Sequence, residues 1–232
     1  MNIHPLHSWN LAPDEAVALQ RRLTGQVETG PPLPQLPRLL AGADVSHNRF
    51  SDTLYAGVVV LDTRDWSVVE ERGAVLEVEF PYRPGLLSFR EAPALLAAFA
   101  KVQSEPDVVM IDGHGTAHPR RLGLAAHVGL WLDRPCIGCA KSRLTGRAGD
   151  LGREAGSTAP LTDRGGEVIG MVVRTKTGVS PVFVSPGNRI DLASAVRVVL
   201  ASARGYRIPE PTRRAHLYVN DLRRQGGGGE PP

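Results

Sequence analysis

The order of apolar and polar positions predicts a mixed α/β protein. A helical spacing of apolar residues runs from about Pro13 to Leu23, and the proline-rich stretch 30–38 indicates an extended linker. Three short apolar runs then predict strands at Leu39–Ser46, Leu54–Leu61 and Val68–Phe80, the last with a turn near Arg72-Gly73. The short spacing between these runs favours an antiparallel meander.

Helices and strands alternate in the next part of the chain. We predict a helix, a strand, a helix and a strand at Ser88–Gln103, Asp107–Ile111, Leu122–Leu132 and Cys136–Ala140. Residues 142–166 indicate a loop or hairpin. They are followed by a predicted strand pair, Val168–Lys176 and Pro181–Val184, and by helices Leu192–Ala203 and Arg213–Arg224, capped by Asp191 and Thr212. This order predicts a ribonuclease H-like fold: a mixed sheet of three antiparallel strands followed by parallel α-β-α-β crossovers, with helices on both faces.

Length and composition narrow the class of protein. A chain of 232 residues with 42% hydrophobic residues can bury a core, so we expect one domain over residues 1–224 and a disordered Gly-rich tail at 225–232. No apolar run approaches the roughly 18 residues of a membrane span, and the first residues lack the regions of a secretory signal. Cys136 and Cys139 fit two buried thiols in a reducing compartment. We therefore expect a cytoplasmic protein that does not bind membranes.

The net charge of +3 hides an uneven distribution along the chain. Residues 1–112 carry nine basic and fifteen acidic side chains, whereas residues 113–232 carry eighteen basic and nine acidic ones. A strongly basic half indicates, although weakly by itself, a polyanionic partner such as a nucleic acid.

Three carboxylates occupy positions that suit a metal site. Asp44 interrupts an apolar strand, Glu91 lies in the first turns of a helix, and Asp112 ends a buried strand. If the first and fourth strands are neighbours, Asp44 and Asp112 lie side by side. Their mutual repulsion calls for a cation, and oxygen ligands suit Mg²⁺ or Mn²⁺. Taken singly, such acids are commonly turn or helix-dipole residues.

Histidines and basic residues extend the candidate site. His114 and His118, with Asp112, fall in DGHGTAH, but no further Cys/His pair completes a zinc site. Lys141 follows the CIGCA strand and should lie at the same sheet edge as Asp112, within reach of a phosphate. His216 lies on a basic helix, where a surface histidine is the alternative. Tyr82 is held between prolines and suits stacking on bases, or simply packs in its own turn.

Five segments together resemble the endonuclease V family, the hypoxanthine-directed nucleases. They are GADVSH at 42–47, FPYRPGLLSFRE at 80–91, MIDGHGTAHPRRLG at 110–123, GCAKSRL at 138–144 and RRAH at 213–216. The resemblance covers about Pro13 to Arg224, nearly the whole chain. It implies a ribonuclease H-like fold and Mg²⁺-dependent hydrolysis of the second phosphodiester bond 3′ to deoxyinosine in DNA. That reaction leaves a 3′-hydroxyl and a 5′-phosphate and belongs to DNA repair.

The resemblance also implies roles for single residues. Asp44, Glu91 and Asp112 resemble the metal ligands, with His216 and Lys141 completing the catalytic group. Tyr82 resembles the wedge that fills the space left by the displaced base. The resemblance assigns further nucleic-acid contacts to eight residues, namely Pro81, Arg83, Pro84, Gly85, Leu87, Gly113, His118 and Gly123. Arg83 departs from the aliphatic residue expected there, so backbone contacts beside the wedge are open to change.

The chemistry of the base agrees with a pocket of this kind. Hypoxanthine presents an O6 acceptor and an N1–H donor, and adenine presents the reverse, so a backbone N–H aimed at O6 would select the deaminated base. Glycines at 113 and 123 would let the backbone approach closely. Two alternatives stay open: action mainly on inosine in RNA, and a non-catalytic nucleic-acid-binding module of the same fold. We expect a monomer.

Overall fold

The computed structural model describes residues 1–49 and 51–226. Its helices and strands follow one another as α1 (Pro13–Thr24), β1 (Leu39–His47), β2 (Thr53–Asp62), β3 (Ser67–Glu77), α2 (Leu87–Phe99), β4 (Val108–Ile111), α3 (Leu124–Leu132), β5 (Cys136–Ala140), β6 (Arg147–Ala148), β7 (Thr158–Thr162), β8 (Val168–Val173), β9 (Val182–Asn188), α4 (Leu192–Ala201) and α5 (Glu210–Gly226). The last helix continues two residues into the predicted tail. The predicted disorder of residues 227–232 lies outside the described residues.

A single mixed sheet carries the fold, in the order β3-β2-β1-β4-β5-β9-β8-β7-β6. The first three strands pair antiparallel, and β1-β4 and β4-β5 pair parallel. This is the predicted ribonuclease H-like arrangement, and β1 and β4 are neighbours as expected. From β9 onward the sheet is antiparallel again, because β9 returns beside β5 and the hairpins of β6, β7 and β8 follow it.

Helices cover both faces of the sheet, as predicted. Ala41 and Ala43 of β1 face the α2 and α3 side, where the largest apolar cluster lies. Leu40, one residue out of phase, faces α4, and Val59 of β2 faces α5. Such alternation is the period of two that a strand imposes on its side chains. Helix α1 forms an outer layer against α2 and α3.

Two local predictions were wrong, and both concern α5 or a residue against which it packs. No turn interrupts the third strand at Gly73, which pairs with Gly57 in the β2-β3 ladder; the register shift of that ladder lies elsewhere, between Val60 and Leu61. A Cβ at Gly73 would meet Leu222 at 2.4 Å, so this glycine serves helix packing. Helix α5 also starts at Glu210, and Thr212 therefore lies inside the helix instead of capping it.

Residues 142–166, predicted as loop or hairpin, contain β6 and β7 and thus extend the sheet. Both cysteines are buried free thiols on β5, as predicted. Within the described residues, every helix is too short or too polar to cross a membrane.

Candidate active site

Two carboxylates lie side by side on neighbouring strands at the centre of the sheet, Asp44 within β1 and Asp112 just after β4. Ala43 of β1 pairs with Ile111 of β4, so Asp44 and Asp112 follow directly on adjacent parallel strands. The amide of Asp112 also donates to the Ala43 carbonyl at 3.0 Å. Asp44 is 7% exposed and accepts a hydrogen bond from the amide of Val45 at 2.8 Å. The parallel pairing predicted from the sequence thus brings these two acids together.

Glu91 approaches Asp44 and Asp112 from α2, which packs on the face of the sheet opposite to α5. Burial of its carboxyl, followed by the charges of Asp44 and Asp112, raises its pKa to about 8. Burial and the charge of Asp44 likewise raise the pKa of Asp112, against the opposing effect of Lys141. The three predicted carboxylates therefore interact electrostatically, and burial together with their mutual repulsion keeps Glu91 protonated at neutral pH.

Basic side chains partly neutralise this acidic centre. Lys141, directly after β5, forms an ion pair with Asp112. Burial lowers the pKa of Lys141, but the adjacent Asp112 more than compensates, so the net shift is upward. His216 on α5 contacts Asp44 with its Nδ1 at 2.8 Å and is half exposed. Both basic residues predicted for the site thus contact its carboxylates.

Two residues that the sequence did not single out orient His216. The Asn220 amide lies 3.1 Å from His216 Nε2 and also donates to the His216 carbonyl, one helical turn earlier. The Ser46 hydroxyl on β1 donates to the side-chain amide oxygen Oδ1 of Asn220 at 3.2 Å. The spacing of four on an amphipathic helix was the available signal, but it also fits an ordinary surface pair.

The donor set fits a hard divalent cation better than zinc. The facing groups are carboxylate oxygens, and a raised Glu91 pKa is what three acids without a full complement of positive charge produce. Within residues 1–49 and 51–226, however, no three His, Cys, Asp or Glu side chains converge into a ready-made metal cluster. Lys141 and His216 take up the carboxylate oxygens of Asp112 and Asp44 instead.

A cavity of about 240 Å³ opens beside the acidic centre. It is smaller than the roughly 300–1,000 Å³ of pockets for drug-sized ligands, which suits a single base. Its lining includes most of the predicted nucleic-acid contacts: Tyr82, Arg83, Pro84, Gly85, Leu87, Gly113, His118 and Gly123. Ser88, His114, Leu124, Ser142, Arg143 and Leu144 complete it. Pro81 lies elsewhere, against a separate cavity beside Trp9 and Phe80.

A braced carbonyl fixes one wall of this pocket. Gly85, at φ +78°, presents its carbonyl to Arg120 at 2.6 Å, His118 at 3.0 Å and Gln20 at 3.1 Å. Burial, followed by the charge of Arg120, lowers the pKa of His118 to about 4. His118 is therefore a neutral brace of the pocket loop. Gln20 was missed, although a glutamine on the buried face of α1 was a usable signal.

The two pocket glycines differ in what they make room for. A Cβ at Gly123 would meet the His114 carbonyl oxygen at 2.4 Å, so the space beside it is filled by the protein's own backbone. A Cβ at Gly113 would meet only the Leu124 side chain, at 3.2 Å and beyond. Gly113, which follows Asp112 directly, is the glycine that leaves the backbone close to the pocket.

The arginines near this edge divide into two groups. Arg120 is engaged in the Gly85 brace, and Arg121 pairs with Asp163 at 2.5 Å and Glu167 at 2.7 Å. Both therefore serve the fold. Arg143 and Arg147 are exposed beyond Lys141, and Arg143 lines the pocket. Tyr82 is 70% exposed at the same pocket.

Comparison with known proteins connects this geometry to a family. The sequence model of endonuclease V matches residues 21–217. Endonuclease V of Myxococcus xanthus is 52% identical over 219 residues, which are 94% of this chain and 93% of that protein. The crystal structure of endonuclease V from Streptomyces avermitilis superposes with a TM-score of 0.89 at 42% identity, over 97% and 99% of the two chains.

A second solved structure holds nucleic acid. Endonuclease V of Ciona intestinalis, in complex with a 24mer DNA containing an inosine followed by a ribo-adenosine, gives a TM-score of 0.77 at 24% identity. It covers 91% of this chain and 98% of its own. The fold and the acidic strand ends define a nuclease of the ribonuclease H-like class. The family match and the Myxococcus relative then place the chain in the endonuclease V family.

Proposed function

We propose that this nuclease recognises hypoxanthine, as deoxyinosine in DNA, and cuts the second phosphodiester bond on its 3′ side. The products are a 3′-hydroxyl and a 5′-phosphate, and the reaction serves DNA repair. The observation that carries the proposal is the junction between site and pocket, since Asp112 belongs to the acidic centre and the next residue, Gly113, lines a base-sized cavity. A base held in that cavity stays covalently linked to a backbone beside the carboxylates.

In this proposal Asp44, Glu91 and Asp112 hold Mg²⁺, which Mn²⁺ can replace. The bound metal would activate water and stabilise the leaving oxygen. Glu91, whose pKa is raised by burial and the neighbouring acids, would bind the cation as the carboxylate. Lys141, which pairs with Asp112, would face a phosphate of the bound strand, and His216, held by Asn220, would lie beside Asp44.

Tyr82 and the pocket supply selection of the base. Rotating a base out of the duplex costs a few kcal/mol. The exposed ring of Tyr82 at the pocket can occupy the space that the rotated base leaves in the stack. The backbone at Gly113 can meet the O6 acceptor of hypoxanthine. The exposed Arg143 and Arg147 continue the positive edge along which a phosphate backbone would run.

One cleavage assay with Mg²⁺ tests the proposal. Matched oligonucleotides carry deoxyinosine, inosine in RNA, uracil or no lesion, and the product ends are mapped. We expect cleavage of the second phosphodiester bond on the 3′ side of deoxyinosine. Preferential cleavage of the RNA would transfer the proposal to inosine-containing RNA, and absence of cleavage near inosine in either backbone would refute it.

Variants of the carboxylates test the metal assignment. Asp44→Asn and Asp112→Asn should abolish cleavage and leave oligonucleotide binding largely intact. Asp150→Asn, which changes an exposed aspartate far along the chain from the acidic centre, is the matched control and should cut normally. A fully active Asp44→Asn or Asp112→Asn variant would contradict the assignment.

A further inference from the structure

A chain of polar side chains connects the N-terminal segment to the base pocket. His7, ahead of α1, places its Nε2 2.7 Å from Nε2 of His127 on α3. Nδ1 of His127 lies 3.1 Å from the hydroxyl of Ser88, in the first turn of α2. His127 is fully buried, and Ser88 lines the pocket. The aromatic rings of Trp9, Phe89 and Trp131 enclose the two histidines.

The partners of His7 fix the position of its proton. Its Nδ1 lies 2.9 Å from the Ser8 carbonyl, which can only accept, so Nδ1 carries the proton. The Trp131 indole N–H, which can only donate, points at Nε2 from 3.3 Å. Nε2 of a neutral His7 is therefore an acceptor. His127 must then be the donor in the contact between the two rings.

The same reasoning carries through His127 to Ser88. Burial and the proximity of His7 lower the pKa of His127 to about 3, so the ring is neutral. With its proton on Nε2, His127 offers only a lone pair at Nδ1. The Ser88 hydroxyl must donate its single proton to that nitrogen. The oxygen of Ser88 is left with lone pairs alone for any other partner.

The opposite polarity would require a doubly protonated His7. Two features disfavour a doubly protonated His7. Burial and, to a smaller extent, the charge of Arg22 lower its pKa, although the hydrogen bond to the Ser8 carbonyl acts in the opposite direction. In addition, the Trp131 N–H already faces the nitrogen that would gain the proton. His127, the other titratable group against His7, is held neutral. The chain of hydrogen bonds therefore has one direction, toward His7.

We propose that Ser88 is a specificity-determining residue, whose oxygen accepts the N1–H of hypoxanthine and repels the N1 lone pair of adenine. His127 and His7 are positioning residues that prevent the Ser88 hydroxyl from turning its proton toward the base. This inference rests on the proposed function, since it needs hypoxanthine in the pocket. It adds a side-chain contact to the backbone contact at O6, so both polar groups on that edge of the base are read.

The test compares Ser88→Ala with Ser88→Thr, which keeps the hydroxyl. Cleavage of a single-stranded deoxyinosine oligonucleotide with Mg²⁺ is competed by an unlabelled strand carrying adenine at the same place, so base pairing does not contribute. The preference is the inhibition constant of the competitor divided by KM. We expect Ser88→Ala to lower it about tenfold, the size of one lost hydrogen bond, and Ser88→Thr to change it less than twofold.

A second pair of variants tests the histidines. His7→Phe keeps an aromatic ring but removes the acceptor, and should lower the preference in the direction of Ser88→Ala. His4→Phe, at an exposed histidine of the same segment, is the control and should leave it unchanged. A wild-type protein without preference would refute the proposed function itself. If the wild type prefers deoxyinosine over adenine and Ser88→Ala keeps that preference, only the role of Ser88 is overturned. If His7→Phe keeps it, the positioning role of the histidines is overturned.

Discussion

The raised pKa of Glu91 makes a quantitative prediction about stability without metal. Its pKa is about 8 in the folded protein, against an ordinary value of 4.5. Between these values the folded state keeps a proton that the unfolded state has released. Stability therefore falls as pH rises from about 4.5, and the loss is complete above about 8. At about 1.4 kcal/mol per pKa unit, the difference amounts to roughly 3 kcal/mol at pH 7 and approaches a limit of roughly 5 kcal/mol above pH 8.

The substitution Glu91→Gln removes the titrating group and keeps its shape. In EDTA, we expect urea unfolding of the wild type to show a free energy that falls between pH 5 and pH 8.5. The slope should be much smaller in Glu91→Gln, so the variant becomes the more stable protein near pH 8. Asp112 also has a raised pKa, but it contributes to both proteins, and the difference between the two curves isolates Glu91.

Two further measurements sharpen this test. Glu79→Gln, at an exposed glutamate on the same stretch of chain, should follow the wild-type curve. Saturating Mg²⁺ should remove most of the wild-type slope, because a cation replaces the proton and stabilises the folded state. Parallel pH curves for wild type and Glu91→Gln in EDTA would refute the reasoning, since Glu91 would then titrate alike in both states.

Three more predictions concern α5 and the pocket. Gly42→Ala should destabilise the fold by about 3 kcal/mol in urea unfolding, because its Cβ would lie 2.0 Å from the Pro211 carbonyl oxygen; unchanged stability would contradict this docking. His216→Ala should reduce kcat at least tenfold while shifting the unfolding free energy by less than about 1 kcal/mol, as its ring is half exposed. Tyr82→Ala should weaken binding of a duplex that contains deoxyinosine without changing the melting temperature of the protein. An affinity equal to that of the wild type would exclude the wedge role.

Sequence patterns predicted the centre of the molecule better than its edges. The runs that became β1, β4 and β5 are short, apolar and bounded by polar residues, so their parallel pairing and the meeting of Asp44 with Asp112 could be inferred from topology. Gly73 misled, because a glycine required by a helix docked from far along the chain has the same local signature as one required by a turn.

The candidate site was predictable where motifs carried it and obscure where tertiary contacts did. Tyr82 and His118 lie in the segments that resemble the endonuclease V family, and both line the pocket. Gln20 and His7 lie outside those motifs, and their contacts bridge sequence separations of 65 and 120 residues. No local pattern encodes partners that distant. Pro81 shows the converse, since its place in the motif gave no indication that it lines a separate cavity beside Trp9.

Helix α5 docks on Gly42 and delivers His216 to Asp44 across 172 residues of sequence. During synthesis, the strands bearing Asp44 and Asp112, the helix bearing Glu91 and the residue Lys141 emerge well before this helix. Because α5 follows every other helix and strand that the structure describes, the ribosome adds His216 to the site only after it has made the three carboxylates and Lys141.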